Sequence, residues 1–389
     1  MSNFDFCVIG AGASGSVLAI ELAKKGKKVC VVDKNEQPAK KLLVTGNGRC
    51  NITNKNMSSE FYNQNIDLFL NKFGYLDTIK LFENYGLDIY ADDEGRCYPI
   101  SNSAKTVQFV LANQFKKHKI SFFQNEVCDV EKENEIFKIS LLNGDNIFAK
   151  KVVFACGINE FSDSMIDKFK IEKSEICPSL VALKTKESTK RLDGERIRDV
   201  KVTAKVGEKT YSEFGEILFK DSGLSGICIF NLSTLFSKNK EFLGKILINL
   251  LPKLQKSEIY NKIFDKMNIF ENVEDILKSM FSKELALEIL KRVNFDKDID
   301  LQNKDSISNG IEKIVDVITN LEYNIVGNYN NNQVFSGGVC LTDLTENLES
   351  KKNSGIYFCG EICDVDGICG GYNLQWAFTS AMIISRAMF

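Results

Sequence analysis

The sequence is poor in several residue types on which common enzyme classes depend. Its 389 residues include one histidine, His118, together with one tryptophan and four prolines. Because His118 lies in a lysine-rich stretch typical of a solvated helix end, a catalytic triad built on histidine is disfavoured. The twelve cysteines contain no Cys-x-x-Cys pair, so we expect neither a zinc site nor a disulfide framework, and we predict no metal.

A long apolar run and a strong charge of one sign are also absent. No run reaches the roughly 18 apolar residues that span a bilayer. The first residues lead directly into a predicted strand, so we expect no signal peptide and a cytoplasmic protein. The net charge of −2 is not typical of nucleic-acid-binding proteins, so we expect a small-molecule substrate and neither a nucleic-acid nor a membrane partner. Whether the protein is a monomer or a homo-oligomer stays open.

Glycine, in contrast, marks three short segments of the chain. The first, Gly10–Gly15, follows the apolar run Phe4–Ile9 and precedes the helical pattern of Ser16–Lys25. A second strand, Lys28–Asp33, ends in an acidic residue. This order of strand, glycine turn, helix and strand is the context that a dinucleotide-binding GxGxxG motif requires. In that motif Gly10 permits the tight turn, Gly12 lets the backbone approach a pyrophosphate, and Gly15 allows close packing of helix and strand.

The other two glycine segments lie far along the chain. Val152–Gly157 and Ile356–Glu361 each read as a strand that ends in small residues. Such an ending lets the backbone pass close to a cofactor. Together with the first segment, and in this order, they predict a protein that holds FAD along its length.

The remaining pattern predicts an insertion between the second and third glycine segments. A hairpin around Asn143–Asp145 leads into the second segment, as its turn residues indicate. Residues 179–255 are rich in strands, residues 256–320 have helical spacing, and the chain returns near residue 334. We therefore predict one domain from residues 1–178 and 334–389, an inserted β-rich domain from 179–255 and 321–333, and a helical subdomain from 256–320.

Several longer motifs resemble those of the BaiN/YhiN-like flavoprotein family, which belongs to the two-dinucleotide-binding-domain flavoproteins. The matching segments are Lys41–Asn54, Glu94–Pro99, Gly215–Gly226, Phe335–Val339 and Gly360–Phe378. The resemblance implies an α/β fold in which both chain ends form a Rossmann-like FAD-binding domain, with an inserted β-barrel-like domain carrying a small helical domain. Members are named as NAD(P)/FAD-dependent oxidoreductases or aminoacetone oxidase-like enzymes, so the resemblance specifies the cofactor better than the reaction.

The sequence departs from the family pattern at two places. Lys220–Ser222 and Ile227 stand where the family has a histidine-glycine pair and a proline. Any role of that histidine is therefore absent here. Cys97 and Tyr98 also replace the more usual apolar and phenylalanine residues.

The motifs and the resemblance imply a set of cofactor-binding residues. The pyrophosphate is assigned to the helix N-terminus after Gly12, the adenosine to Asp33 and Val127, and the flavin to the start of a C-terminal helix at Gln375–Met388, whose positive dipole end favours the reduced flavin anion. The full set is Gly10, Gly12, Ala13, Ser14, Gly15, Asp33, Lys34, Lys41, Arg49, Cys50, Asn51, Val127, Ala155, Gly157, Gly338, Gly360, Glu361, Asp366, Gly371, Asn373 and Leu374.

Four residues are candidates for catalysis beside the flavin. They are Arg49, Cys50, Arg96 and Tyr98. Tyr98 is a candidate proton donor and Arg96 a candidate anion clamp, with a structural role as the alternative for each. Cys50 is a weaker candidate nucleophile, because no base is evident near it in the sequence.

These features predict an FAD-dependent oxidoreductase. We expect an NAD(P)H-linked reductase or dehydrogenase that passes hydride through flavin N5 to a small organic substrate such as an activated C=C. No second GxGxxG is evident, so NAD(P)H would bind transiently. The alternatives are a flavin amine oxidase that uses O₂ and, from another class, a non-catalytic FAD-stabilised binding protein or an RNA-acting flavoprotein.

Overall fold

The chain contains eighteen strands and eleven helices in the residues that the computed structural model describes, 4–238, 244–294, 304–329 and 334–388. The strands are β1 Phe4–Ile9, β2 Val29–Asp33, β3 Thr53–Asn54, β4 Ile89–Ala91, β5 Arg96–Pro99, β6 Ser121–Gln124, β7 Val127–Glu133, β8 Ile136–Leu141, β9 Asn146–Phe154, β10 Lys173–Ser179, β11 Leu183–Thr185, β12 Arg196–Val206, β13 Lys209–Lys220, β14 Gly223–Ser225, β15 Gly244–Asn249, β16 Leu321–Asn328, β17 Val334–Val339 and β18 Ile356–Phe358. The helices are α1 Ala13–Lys24, α2 Asp67–Lys72, α3 Tyr75–Asn84, α4 Ala104–Lys117, α5 Glu160–Lys168, α6 Ile227–Ser237, α7 Lys256–Lys266, α8 Val273–Lys278, α9 Lys283–Arg292, α10 Lys304–Thr319 and α11 Tyr372–Arg386.

The chain divides into two compact units. The first contains Met1–Ile176 and Phe335–Phe389, and the second contains Cys177–Val334. The boundaries predicted from the sequence lie after residues 178 and 333, and the separate helical subdomain at 256–320 stays a prediction. Among the described helices, none is both long and apolar enough to cross a membrane.

A seven-stranded sheet forms the centre of the first unit. Five of its strands are parallel and lie in the order β6-β2-β1-β9-β18. The antiparallel strands β8 and β7 extend the sheet from the first half of β9. The strands β1 and β2 and the end of β9 are mostly apolar because parallel strands are covered on both faces. Helices α1 and α11 pack against one another.

Three predicted elements of this unit differ in the structure. The sequence pattern of residues 60–85 predicts one helix, but the structure has α2 and α3 there, because Gly74 starts a new helix and its N–H is capped by the carboxylate of Asp77 at 3.0 Å. The pattern of residues 124–131 predicts one strand, but these residues are divided between β6 and β7. The C-terminal helix begins at Tyr372, three residues before the predicted start.

The second unit contains a closed barrel of six strands in the order β11-β14-β13-β12-β15-β16. Alternating residues of these strands point inward and are buried, among them Val202, Phe219, Ile246 and Tyr323. Helices α7 to α10 contribute further apolar side chains to the same core. The predicted fold class, a Rossmann-like domain from both chain ends with an inserted barrel-like domain and helices, is confirmed.

Candidate functional site

The three glycine segments lie side by side at one edge of the sheet. Ile9, Phe154 and Phe358 occupy the same register position at the carboxyl ends of β1, β9 and β18. The chain continues from these residues into Gly10, Ala155 and Cys359. Ligands of open parallel sheets bind beyond the carboxyl ends of the strands, so the edge is the expected location of a dinucleotide site.

Several glycines at this edge have no room for a side chain. A Cβ atom at Gly15 would lie 2.0 Å from the carbonyl oxygen of Gly10, and a Cβ at Gly10 would lie 2.6 Å from the Cα of Cys156. Gly360, with φ +79°, would place its Cβ 2.5 Å from Oγ of Ser14. The first segment therefore packs directly against both of the others.

Gly12 shows the opposite environment. A Cβ atom at this position would meet nothing within 4 Å among the described residues. Gly12 is the N-cap of α1, no described side chain caps this helix, and its first turn carries no acidic residue. An open backbone with unoccupied N–H groups and a positive dipole end suits a pyrophosphate, so the residues present fit the phosphates of FAD.

Asp33 is oriented for the adenosine end by backbone and side-chain amides. Its Oδ2 accepts a hydrogen bond from the N–H of Ala11 at 2.7 Å, and its Oδ1 accepts from the N–H and the side-chain amide of Asn35, both at 2.8 Å. The carbonyl of Asp33 accepts from the N–H of Asn125 at 2.9 Å, two residues before Val127. Asp33, the exposed Lys34 and Val127 thus lie at the same end of the sheet edge.

Glu361 connects the second and third glycine segments to two further elements. Its Oε2 forms an ion pair with Nζ of Lys41 at 2.8 Å, and its Oε1 accepts from the N–H of Phe335 at 3.1 Å. Oε2 also lies 3.2 Å from the Cβ position of Gly157, whose φ is +68°. The predicted cofactor residues Lys41 and Gly157 therefore both lie beside Glu361.

The loop motif Lys41–Asn54 packs against the start of α11. A Cβ at Gly371, with φ +99°, would lie 2.7 Å from the carbonyl oxygen of Thr53 and 2.9 Å from Oδ1 of Asn51. The side-chain amide of Asn54 donates to the carbonyl of Gly370 at 3.0 Å. Asn51 Oδ1 is buried and has no hydrogen-bond partner among the described residues. Because unsatisfied buried acceptors are costly, this atom fits an N–H group of a bound flavin ring.

The loop before α11 is held by its own side chains. Asn373 accepts from the N–H of Gly367 at 2.9 Å and donates to its carbonyl at 2.8 Å. The N–H of Asp366 donates to Oδ1 of Asn63 at 2.9 Å. Asn373 and Leu374 belong to the first turn of α11 instead of preceding the helix. Asn373 therefore has a structural role at this turn whether or not it contacts a cofactor.

Tyr98 and Arg49 form a stacked pair beside this loop. The guanidinium carbon of Arg49 lies 4.3 Å from the centre of the Tyr98 ring, and its Nη2 donates to the phenol oxygen at 3.2 Å. A Cβ at Gly46 would lie 3.6 Å from Cε1 of Tyr98 and 2.9 Å from the backbone nitrogen of Asn51. Gly46 thus lies between Tyr98 and Asn51, and Asn51 lies beside Gly371. These contacts put Tyr98 at the predicted flavin end.

The Tyr98 phenol is protonated over a wide pH range. Burial raises the pKa of Tyr98, and the neighbouring charges of Arg96 and Arg49 offset part of that rise. The side chain is 3% exposed. A neutral phenol that accepts a charged hydrogen bond is the arrangement that a proton donor requires, because the same cation stabilises the phenolate left behind.

The structure disfavours two of the predicted catalytic roles. The Arg96 guanidinium is paired with Asp92 at 2.8 Å and with Glu94 at 2.8 Å, so its charge is already balanced and we do not retain it as an anion clamp. Cys50 is fully buried, and burial raises its pKa to about 12. Its thiol is therefore not a nucleophile near neutral pH.

Sequence reasoning missed buried polar residues that line the same region. Ser336, in the Phe335–Val339 motif, is 1% exposed, and its Oγ has no partner among the described residues. The adjacent Gly338, with φ +119°, would place a Cβ 2.4 Å from the carbonyl oxygen of Ile362. Thr53 donates to Oε1 of the fully buried Gln375 at 2.6 Å. The sequence did contain a signal for these residues, because Ser336, Thr53 and Gln375 all lie within the motifs that carry the family resemblance.

The comparison with protein families decides the relationship. The chain matches the family described as the HI0933-like protein Rossmann domain over residues 4–387. It belongs to this family. The predicted resemblance to the BaiN/YhiN-like flavoproteins is thereby confirmed, and the chain is an FAD-dependent oxidoreductase.

Two relatives match the chain over almost its whole length. A 3-dehydro-bile acid delta(4,6)-reductase of Clostridium scindens is 29% identical over 408 aligned residues, which cover 98% of each chain. A ribosomal RNA dihydrouridine synthase of Escherichia coli is 28% identical over 403 aligned residues, which cover 98% of this chain and 97% of that protein. Among solved structures, THI4 of Thermovibrio ammonificans is 17% identical, covers 44% of this chain and 64% of its own, and has a TM-score of 0.32.

Proposed function

We propose that this protein is an NAD(P)H-linked reductase that adds hydride and a proton across a carbon–carbon double bond conjugated with a carbonyl. The observation that carries the proposal is the Arg49–Tyr98 pair, a buried neutral phenol with a cation on its oxygen at 3.2 Å. It lies beside the loop and helix start predicted to hold the flavin. A positioned acid of this kind supplies the proton that a hydride donor cannot.

The names of the two relatives support the same reaction type. A delta(4,6)-reductase saturates a double bond conjugated to a ketone, and a dihydrouridine synthase saturates the C5–C6 bond of a uracil ring. Both acceptors are activated by a carbonyl, although one relative is named for a small molecule and the other for an RNA. We therefore propose the bond type and retain the small-molecule substrate as the expectation.

FAD, when bound, supplies the hydride chemistry through flavin N5. The N–H groups at the start of α1 would hold its pyrophosphate, Asp33 would bind the ribose, and Asn51 and the start of α11 would orient the flavin ring. Tyr98 would donate its phenolic proton to the substrate carbon next to the carbonyl, and the carbon one bond further would receive the hydride. Arg49 stabilises the resulting phenolate until solvent returns the proton.

Anaerobic mixing of the purified yellow protein with NADH or NADPH tests the reductant. The proposal predicts rapid bleaching of the flavin absorbance with at least one of them. A flavin that stays yellow with both, and bleaches with dithionite, contradicts the NAD(P)H link. Failure with dithionite as well supports the non-catalytic binding protein.

Three acceptors then distinguish the substrate classes. The reduced protein is mixed with a 3-keto-4,6-diene bile acid, with a uridine-containing oligoribonucleotide, and with O₂. Fast reoxidation by the bile acid or by the oligoribonucleotide supports the proposal and identifies the substrate class. Reoxidation by O₂ alone, together with bleaching by a primary amine in place of NAD(P)H, supports the amine-oxidase alternative.

A further inference from the structure

The first unit has a second concave site whose lining includes none of the residues assigned to FAD. The cavity has a volume of about 460 Å³ and lies between α4 and the segment that follows β2. Its walls include Pro38, Lys105, Phe109, Ala112, Lys116 and Lys119. The volume is in the range of small-molecule pockets.

One face of α4 supplies the floor of this cavity. Lys105, Phe109, Ala112 and Lys116 follow the i, i+4, i+7, i+11 spacing that places side chains on one helix face. Since each residue advances the helix by about 1.5 Å, the two lysines are roughly 16 Å apart along the axis. Ala112 leaves a depression between them because its side chain is a single methyl group.

The aromatic side chain on this face is open to solvent. Phe109 is 70% exposed, although an exposed aromatic ring gains nothing from contact with water. Phe122 and Phe115 also line the cavity. A flat ring presented at the edge of a cavity can stack with a planar ligand.

The charge around the cavity is positive. Lys105, Lys116 and Lys119 have no ion-pair partner in the part of the chain that the structure describes. One carboxylate, Glu36, also lines the cavity. An excess of unpaired ammonium groups around an apolar floor attracts a ligand that is both flat and anionic.

We propose that this pocket is a nucleotide-binding site, separate from the FAD site. The base stacks on Phe109 above Ala112, and the phosphates contact the lysines at one end of the α4 face. A nucleotide combines the planar apolar surface and the localised negative charge that the pocket complements. A single nucleotide fits the volume, so the occupant is a free nucleotide and not an extended nucleic acid.

Calorimetric titration of the FAD-saturated protein with ADP tests the proposal. Saturating FAD prevents ADP from entering the adenosine site of the flavin. We expect one saturable ADP site per chain. The change Ala112→Leu, which fills the depression without altering charge, should weaken ADP binding at least tenfold, and Phe109→Ala should do the same.

Matched variants separate the pocket from general surface binding. Phe214 is 68% exposed in the second unit and has the ammonium of Lys201 5.6 Å from its ring, so Phe214→Ala should leave ADP binding unchanged. Lys116→Gln with Lys119→Gln, the two lysines at one end of the α4 face, should weaken binding and reduce its salt dependence. Circular dichroism and FAD content of each variant confirm that it is folded.

Three results would overturn the proposal. One is the absence of ADP binding at millimolar concentration. Another is binding that Ala112→Leu leaves intact. The last is binding of a tetrauridylate without binding of ADP, which would identify a general polyanion surface. No step of this test involves turnover. The ADP titration can therefore be interpreted even if the proposed reductase activity is not found.

Discussion

The two ends of the cofactor site are built in different ways. At the predicted phosphate end, the groups available to a ligand are backbone N–H groups within the short segment Gly10–Gly15. At the flavin end, side chains converge from separate segments, with Arg49 and Asn51 in one loop, Tyr98 on β5 and Gly371 at the start of α11. Backbone geometry can be encoded locally, whereas converging side chains require the complete fold.

The two ends also differ in what a substitution would disturb. Gly10 and Gly15 touch backbone atoms of the sheet edge, so any side chain there displaces the fold itself. Asn51 carries a buried oxygen with no partner among the described residues, and the Tyr98 phenol oxygen accepts from one neighbouring side chain, that of Arg49. We therefore predict that substitutions at the phosphate end destabilise the fold, whereas substitutions at the flavin end lower activity.

The largest effect is expected from a pair of glycine changes at the phosphate end. Gly15→Ala places a methyl group 2.0 Å from the Gly10 carbonyl oxygen, and such overpacking typically costs about 1–3 kcal/mol or more. Gly12→Ala adds the same methyl group in open space, so the fold should persist while FAD affinity falls. Soluble yield, thermal unfolding and FAD content of both variants measure the contrast. Equal stability of the two variants would contradict it.

The next effect concerns the proton donor at the flavin end. Tyr98→Phe should retain FAD and lower kcat by a factor of about 100 or more, the usual contribution of a positioned acid. Tyr90 provides a matched control, because its ring lies 6.1 Å from that of Tyr98 and its hydroxyl bonds Asn102 at 2.6 Å. Tyr90→Phe should change kcat less than about threefold. Similar losses in both variants would assign Tyr98 a packing role.

A pH profile tests the same residue without changing its shape. Since burial raises the pKa of Tyr98 above the ordinary value of 10.0, the neutral donor is present through pH 10 and is lost only above it. The rate of acceptor reduction should therefore be flat up to that pH and then fall about tenfold per pH unit. Tyr98→Phe should lack this alkaline limb. A fall centred below pH 9 would contradict the assignment.

The smallest effect is expected where the two ends are joined. The Lys41–Glu361 ion pair measures 2.8 Å, but the Lys41 side chain is 58% exposed, so solvent screens the interaction. A double-mutant cycle with Lys41→Met and Glu361→Gln should give a coupling of less than about 1 kcal/mol. Urea unfolding of the four proteins provides the value. A coupling above about 2 kcal/mol would show that the pair organises the site.

The phosphate end could be predicted from the sequence because its residues are close together in the chain. The turn, the helix start and Asp33 are specified by residues within one strand–helix–strand unit, and each has a sequence signal of its own. The shared register position of Ile9, Phe154 and Phe358 is a finding of the structure, because strand order is a property of the complete sheet. The strand-rich insertion followed from the change of pattern near residue 179, whereas the barrel was implied by the family resemblance.

The flavin end was less accessible because spacing does not reveal contacts. The pairing of Arg96 with Asp92 and Glu94 joins neighbours in the chain and had a local signal. The stacking of Arg49 on Tyr98 joins residues 49 positions apart and had none. Cysteine burial was also uneven. Cys50 is fully buried, but Cys128 on β7 is exposed. Edge strands such as β7 have one solvent face, and the sequence pattern alone does not identify which strands are at the edge.

A crystal structure of the protein with FAD bound tests most directly where the two ends of the cofactor lie. We predict that the pyrophosphate accepts hydrogen bonds from the backbone N–H groups of Ala13 and Ser14, and that the flavin ring lies between the start of α11 and the Arg49–Tyr98 pair. Asn51 Oδ1 should then accept a hydrogen bond from the ring. A flavin ring placed elsewhere, with Asn51 and Tyr98 still separated from it, would contradict the account.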